Sequence, residues 1–370
     1  MTISRRSLLK STAIAGVALA APAILKTQDA LASSGTVNVF AWGDYIQANM
    51  IEKFQKDTGI TINLSTFGSN DEAEQKLKAA GGKGFDVIFP SVTNGPNYYP
   101  DGLLQPLDES KVEMDKLIPS MVRDSVSLGA TYRGDRMLLP FDWGTEAVTF
   151  DSNAMPLDEV SYGSLFQDGA KSAFRQKSVI MGVGLYLDAK GEIKSNRMLD
   201  VYKSEEDARR VWDACAAYII ANKDKVAAFW NNATEATNAF KQAGANIGQT
   251  WDTTGLLLNR EDAKWKYRMP TEGGITWMDS MGVPSGAANI EQAYAFINAM
   301  LDPKMAGLFS KNTGYNSAVA GAAEHAGAEY KAQFNEVYNA QNLANLWWWQ
   351  ADTPWFAPLR QEYVDKITNA

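Results

Sequence analysis

Between Val37 and Phe89 the hydrophobic pattern changes period four times, and this stretch constrains the fold more than any other. Residues 37–41 read as a strand, and Ile46, Met50, Ile51 and Phe54 then recur at helical spacing until Thr58-Gly59. Residues 60–66 alternate like a second strand. Ser69 and Glu72 form a capping box that opens a helix running to Gly81-Gly82, and residues 85–89 make a third apolar strand stopped by Pro90. A βαβαβ unit builds a parallel sheet with right-handed crossovers. Ligands of such sheets sit beyond the carboxyl ends of the strands, here the segments that start at Trp42, Phe67 and Ser91.

Further along, residues 138–141 and 145–150 read as two strands interrupted by Asp142-Trp143-Gly144, where the chain is expected to leave one lobe and enter another. A strand is expected at 179–181, with Gly182 and Gly184 as a turn, since the third glycine of a dinucleotide fingerprint is missing. Helices follow at 204–222 and 232–242, a strand at 246–250, and extended segments at 264–269 and 275–283. Ile290, Ala293, Phe296, Ile297 and Met300 line one face of an amphipathic helix. From Tyr330 onward the chain is expected to be helical and is rich in tryptophan.

The first 32 residues carry Arg5-Arg6, an apolar stretch from Thr12 to Leu25 and the small-x-small pattern Ala30-Leu31-Ala32. This reads as a bacterial export signal cleaved near Ala32, of twin-arginine type, with a general secretory signal as the alternative. Its loss takes the formal net charge from -8 to -11. An acidic mature chain argues against nucleic acid and anionic membranes as partners and suits a cationic ligand. Cys215 is the only cysteine and His325 the only histidine. That excludes an intrachain disulfide and His/Cys zinc clusters, and leaves no cysteine after the signal for a lipid anchor. A free periplasmic monomer without metal or cofactor is the expectation.

Trp42, Trp143, Trp251 and Trp277 fall at expected strand ends, and Asp44, Asp252 and Asp279 stand beside three of them. Trp277 and Asp279, two apart on a strand, share a face. An aromatic face with a carboxylate is what an ammonium group needs when it leaves water, because cation-π contact and a charge-assisted hydrogen bond together offset desolvation. Core packing of the tryptophans is the competing explanation.

Residues 39–46 (VFAWGDYI), 85–91 (FDVIFPS), 104–108 (LQPLD), 270–280 (PTEGGITWMDS) and Thr313-Gly314-Tyr315 resemble the periplasmic spermidine/putrescine-binding proteins of polyamine ABC importers, in the same order over the whole mature chain. The resemblance implies an α/β two-lobe periplasmic-binding-protein fold of type II, with hinge crossings and a ligand cleft between the lobes. The lobes are expected at 36–141 plus 276–323, and at 142–275 plus 324–370. Carried over residue by residue, it implies that Trp42 and Tyr45 line the cleft and Ser91 offers a hydrogen bond. Trp251 and Trp277 would stack on the ligand's methylenes, Asp279 would pair with an ammonium, and Tyr315 would close one side. Thr254 and Gln350 fall near further cleft positions, and Asp44 is added for its place beside Trp42.

One departure bears on the ligand. The family's second acid, expected after residues 179–181, is replaced by Gly182-Val183-Gly184-Leu185. Glu146, Asp252 or Asp44 could compensate, although an exposed strand-edge charge is the plainer reading of Glu146. The function implied is capture of a small organic cation, a polyamine, for an ABC permease of the inner membrane. A single-ammonium solute such as an ω-amino acid or betaine is the alternative. An enzyme is not expected, because no nucleophile elbow, phosphate loop or metal-ligand spacing occurs, and Asp252 with Asp279 is the only acid pair available for proton transfer. A sensory protein that presents its liganded lobes to a receptor is the third possibility.

Overall fold

The computed structural model describes residues 35–370, so the expected export signal at 1–32 lies outside the described residues. The βαβαβ opening is present. Strand β1 (Gly35–Trp42) pairs in parallel with β2 (Ile60–Phe67), from Gly35 opposite Ile60 to Trp42 opposite Phe67. Between them α1 (Ala48–Thr58) buries Met50 and Phe54 and ends on Gly59, whose φ of 74° is the left-handed conformation glycine adopts without steric cost. The Ser69 hydroxyl accepts from the Glu72 N–H and so starts α2 (Asn70–Ala79), while the Glu72 carboxylate takes the Gly68 N–H. Strand β3 is only Val87–Ile88. Backbone bonds from Asp86 N–H to Asn38 O and from Phe89 N–H to Phe40 O flank it, and the Asp86 carboxylate gathers the backbone N–H groups of Asn38, Ala288 and Asn289.

Strand β4 (Leu138–Asp151) runs 14 residues without interruption. The expected break at Asp142-Trp143-Gly144 does not occur, because these residues are paired across to β8 and the strand is buried almost throughout. Strand β5 is Ser172–Arg175, and residues 179–181, expected as a strand, begin helix α3 (Val179–Ala189). This helix is apolar on nearly every side because it sits in the core, and a helix buried all round has no periodicity to separate it from a buried strand. Gly182 and Gly184 are helix packing positions rather than a turn: a Cβ at Gly182 would stand 3.0 Å from the Tyr162 ring, and one at Gly184 would collide with Met198.

Strands β6 (Val226–Trp230), β7 (Ile247–Trp251) and β8 (Ile275–Pro284) complete a mixed sheet of order β2-β1-β3-β8-β4-β7-β5-β6. The antiparallel pair β8 and β4 at its centre joins a first half, built from β1 to β3, to a second built from β5 to β7. The second half carries a core in which Phe150, Phe174, Ile180, Trp212, Phe356 and Ile367 pack together. The segment from Tyr330 is helical at Ala328–Val337 and Phe356–Asn369, but Trp347–Trp348 form a short strand on Ile275–Thr276.

Candidate functional site

Because directly opposed residues of an antiparallel pair share a face, the register of β4 and β8 sets up the site. Asp142 faces Asp279, Gly144 faces Trp277, and Glu146 faces Ile275. On the other edge of β4, Glu146 also faces Trp251. One face of the sheet therefore presents an acid pair, then an indole, then a further acid beside a second indole, each rung about 7 Å from the next.

At the first rung the two carboxyls differ in partners. Asp279 accepts from the Tyr45 hydroxyl at 2.6 Å and from the Ser91 hydroxyl, and the Asn70 amide donates to Ser91 Oγ at 2.9 Å. Asp142 is fully buried, and among the described residues neither of its oxygens has a hydrogen-bond partner. Burial, opposed by the Ser91 and Tyr45 hydroxyls, pushes the Asp279 carboxyl up to about 6. Burial and then the facing Asp279 charge push Asp142 well above the ordinary carboxylate range, and the nearby Tyr45 hydroxyl, which is donated to Asp279, offsets this only in part. Asp44 is exposed by area yet walled by protein, which raises its carboxyl while hydrogen bonding to its own backbone and to Tyr315 lowers it. None of the groups acting most strongly on these three acids is a lysine or arginine.

Aromatic rings enclose the acids. Tyr45 lies 6.4 Å from Trp42 and 6.0 Å from Tyr315 between ring centres, and Trp277 meets Tyr315 edge-on at 5.4 Å. The indole of Trp277 lies across Gly144, where any Cβ would collide with it. The N–H groups of Trp42 and Trp277 are buried and have no partner among the described residues. An unpartnered buried carboxylate is strongly unfavourable, and two facing each other are worse. The arrangement is suited to a cation with several N–H donors, entering between aromatic walls. No group of three or more His, Cys, Asp or Glu side chains among the described residues is arranged to hold a metal ion.

The structure thus brings Trp42, Asp44, Tyr45, Ser91, Trp277, Asp279 and Tyr315 into one constellation, and adds Asp142, which the sequence pattern places in a break between strands. Asp252 is held differently: it is buried and accepts from Thr145 N–H, Thr253 N–H, Asn316 and Tyr338, while its charge still acts on Asp142 and Tyr315. With four donors its charge is satisfied within the fold, although burial still pushes it up to about 6. Thr254 is buried in the helix Asp252–Glu261. Gln350 lines a separate groove of about 390 Å³ with Trp143, Phe334 and Trp348, and none of Asp44, Asp142, Asp252 and Asp279 contributes to that groove.

Glu146 is not an exposed edge charge. It is fully buried and paired with the Arg175 guanidinium and the Ser178 hydroxyl. The expectation of a second acid after residues 179–181 rested on a strand there, and those residues are helix. The strand that ends beside Trp251 is β5, so the residues at its carboxyl end are Arg175-Gln176-Lys177 rather than Gly182-Val183-Gly184. Basic side chains stand there.

A model of the bacterial extracellular solute-binding protein family matches residues 49–336. The spermidine/putrescine-binding periplasmic protein of Escherichia coli (strain K12) is 26% identical over 340 residues, covering 90% of this chain and 92% of the relative. The putrescine-binding periplasmic protein SpuD of Pseudomonas aeruginosa is 28% identical over 288 residues, covering 74% and 76%. Among solved structures, the spermidine/putrescine ABC transporter substrate-binding protein PotD of Streptococcus pneumoniae superposes with a TM-score of 0.75 at 21% identity, covering 91% of this chain and 99% of that one. The fold is accordingly the α/β two-lobe periplasmic-binding-protein fold, and the chain belongs to the bacterial extracellular solute-binding protein family.

Proposed function

We propose that this chain is the periplasmic substrate-binding component of an ABC importer and that it captures a polyamine. The observation that carries the reading is the facing pair Asp142 and Asp279, buried among Trp42, Tyr45, Trp277 and Tyr315, with both Asp142 oxygens unpartnered. A primary ammonium offers three donors to such a pair and lies against the indole faces. The names of the relatives point the same way, toward polyamines rather than single-ammonium solutes.

In this reading the residues before 33 are an export signal, the mature chain acts as a monomer, and it binds without turnover. The two lobes comprise 36–141 plus 276–323 and 142–275 plus 324–370, so that β4, β8 and the chain after residue 323 cross between them. Thermal denaturation with a panel of polyamines, amino acids and betaines tests the ligand class. A ligand at 100 times its dissociation constant adds about 2.7 kcal/mol of stability. A polyamine should raise the transition by several degrees, whereas a response to betaines or amino acids alone would overturn the reading.

A further inference from the structure

Beyond Trp277, the next rung is built around a cation that the chain itself supplies. Glu146 is buried on β4 opposite Trp251, and Arg175 at the end of β5 forms an ion pair with it. The guanidinium carbon of Arg175 stands 4.7 Å from the centre of the Trp251 ring and 5.9 Å from that of Trp230. A carboxylate beside an indole face repeats the pairing of Asp279 with Trp277, but here both are occupied. The surroundings are basic as well. Lys177 and Arg360 each stand 5.7 Å from the centre of Trp349, and Asp352 is already bonded by Arg360.

We propose that Arg175 fills the second cation position of the cleft and thereby limits the length of the amine that binds. The inference rests on the amine-binding reading above. From Asp142 to Glu146 is four residues of strand, about 14 Å. Standard bond lengths put the two nitrogens of extended putrescine about 6 Å apart and the terminal nitrogens of spermidine about 11 Å apart. A four-carbon diamine anchored at Asp142 and Asp279 ends over Trp277, within reach of Tyr315 and short of the guanidinium. Spermidine carries its far ammonium toward Arg175, where like charge opposes it and Glu146 is already neutralised.

The test is titration calorimetry of putrescine and spermidine on the full mature chain, compared among the wild type, Arg175→Met, Arg175→Lys and Glu146→Gln/Arg175→Met. The wild type should favour putrescine by at least tenfold. Arg175→Met leaves Glu146 to receive the far ammonium and should reverse the preference, and Arg175→Lys should retain it. The double variant leaves no charge unpaired, so it keeps the measurement possible if Arg175→Met alone fails to fold. Its preference should fall toward unity without reversing. A wild type that favours spermidine, or a preference unchanged in both Met variants, would overturn the proposal. Failure of the wild type to bind either amine would instead overturn the amine-binding reading on which it rests.

Discussion

Replacing Asp279 by asparagine should make the free protein more stable and the amine complex much weaker, and the size of both effects follows from the site. A carboxyl moved from 3.8 to about 6 has its ionised form disfavoured in the folded state by about 3 kcal/mol. Because the folded value is the higher one, the cost is absent below about pH 4, where both states are protonated. It grows as pH rises toward 6 and is constant above. The asparagine side chain keeps the shape and can still meet the Tyr45 and Ser91 hydroxyls, but it carries no charge and relieves the repulsion on Asp142.

At pH 7.5 the free variant should therefore melt several degrees above the wild type, and the difference should close as the pH falls to 4. Binding runs the other way. An ammonium restores the ionised pair, so removing one acid should weaken a diamine on the order of a hundredfold, about 3 kcal/mol, at pH 7.5. Wild-type affinity should also rise with pH through about 6, as Asp279 gives up its proton on forming the complex, and should go on rising above that because Asp142 is held well above the ordinary carboxylate range. Calorimetric melting and titration from pH 4 to 8 measure both effects. A free variant that melts below the wild type at pH 7.5, or a melting difference as large at pH 4 as at pH 7.5, would refute the argument that a strained acid pair anchors the ligand.

Asp44→Asn should cost less than tenfold in amine affinity, because Asp44 is exposed by area whereas Asp279 is buried against a facing carboxyl; titration showing a loss equal to that of Asp279→Asn would reverse the ranking. Gly144→Ala should push the Trp277 indole off β4 and weaken amines by tenfold or more with a shift in tryptophan emission, and unchanged affinity and emission would show that the ring's position is not critical. Tyr338→Phe removes one of four donors to the buried Asp252 and should cost about 1–3 kcal/mol in urea denaturation while leaving amine affinity unchanged, which separates the Asp252 network from the ligand site.

The sequence is most informative where local pattern and tertiary environment agree. The opening βαβαβ unit, its Gly59 stop and its Ser69 cap are legible because each depends on a few adjacent residues. Trp277 and Asp279 are legible because they share one strand. Asp142 is not, since an aspartate, a tryptophan and a glycine in a row carry the composition of a turn. Only pairing on both edges of β4 makes them strand. Continuing the alternation Pro140, Asp142, Gly144, Glu146 through the segment would have put both acids on one face. Helix α3 misleads for the opposite reason. Its 11 residues are so uniformly apolar that three of them pass for a strand, and that displaces the expected second ligand position from Arg175 to Gly182.

That displacement matters physically, because it changes an absence into a presence. Glycines at the far end of a cleft would leave a second ammonium merely unassisted, with water free to solvate it. A guanidinium held on Trp251 by Glu146 repels it and cannot easily move aside, since its departure would strand a fully buried carboxylate. The two ends of the constellation are thus opposite in character. At Asp142 and Asp279 the fold leaves negative charge without a cationic partner, on the two strands that join the halves of the sheet, so a cation is most favourable where it touches both. Two rungs away the same face has already neutralised its acid. A short diamine, with one ammonium at the first position and its second held over Trp277 short of Arg175, satisfies both ends. Each methylene added beyond that reach brings its next charge closer to Arg175, and selectivity against long polyamines should rise with length for that reason.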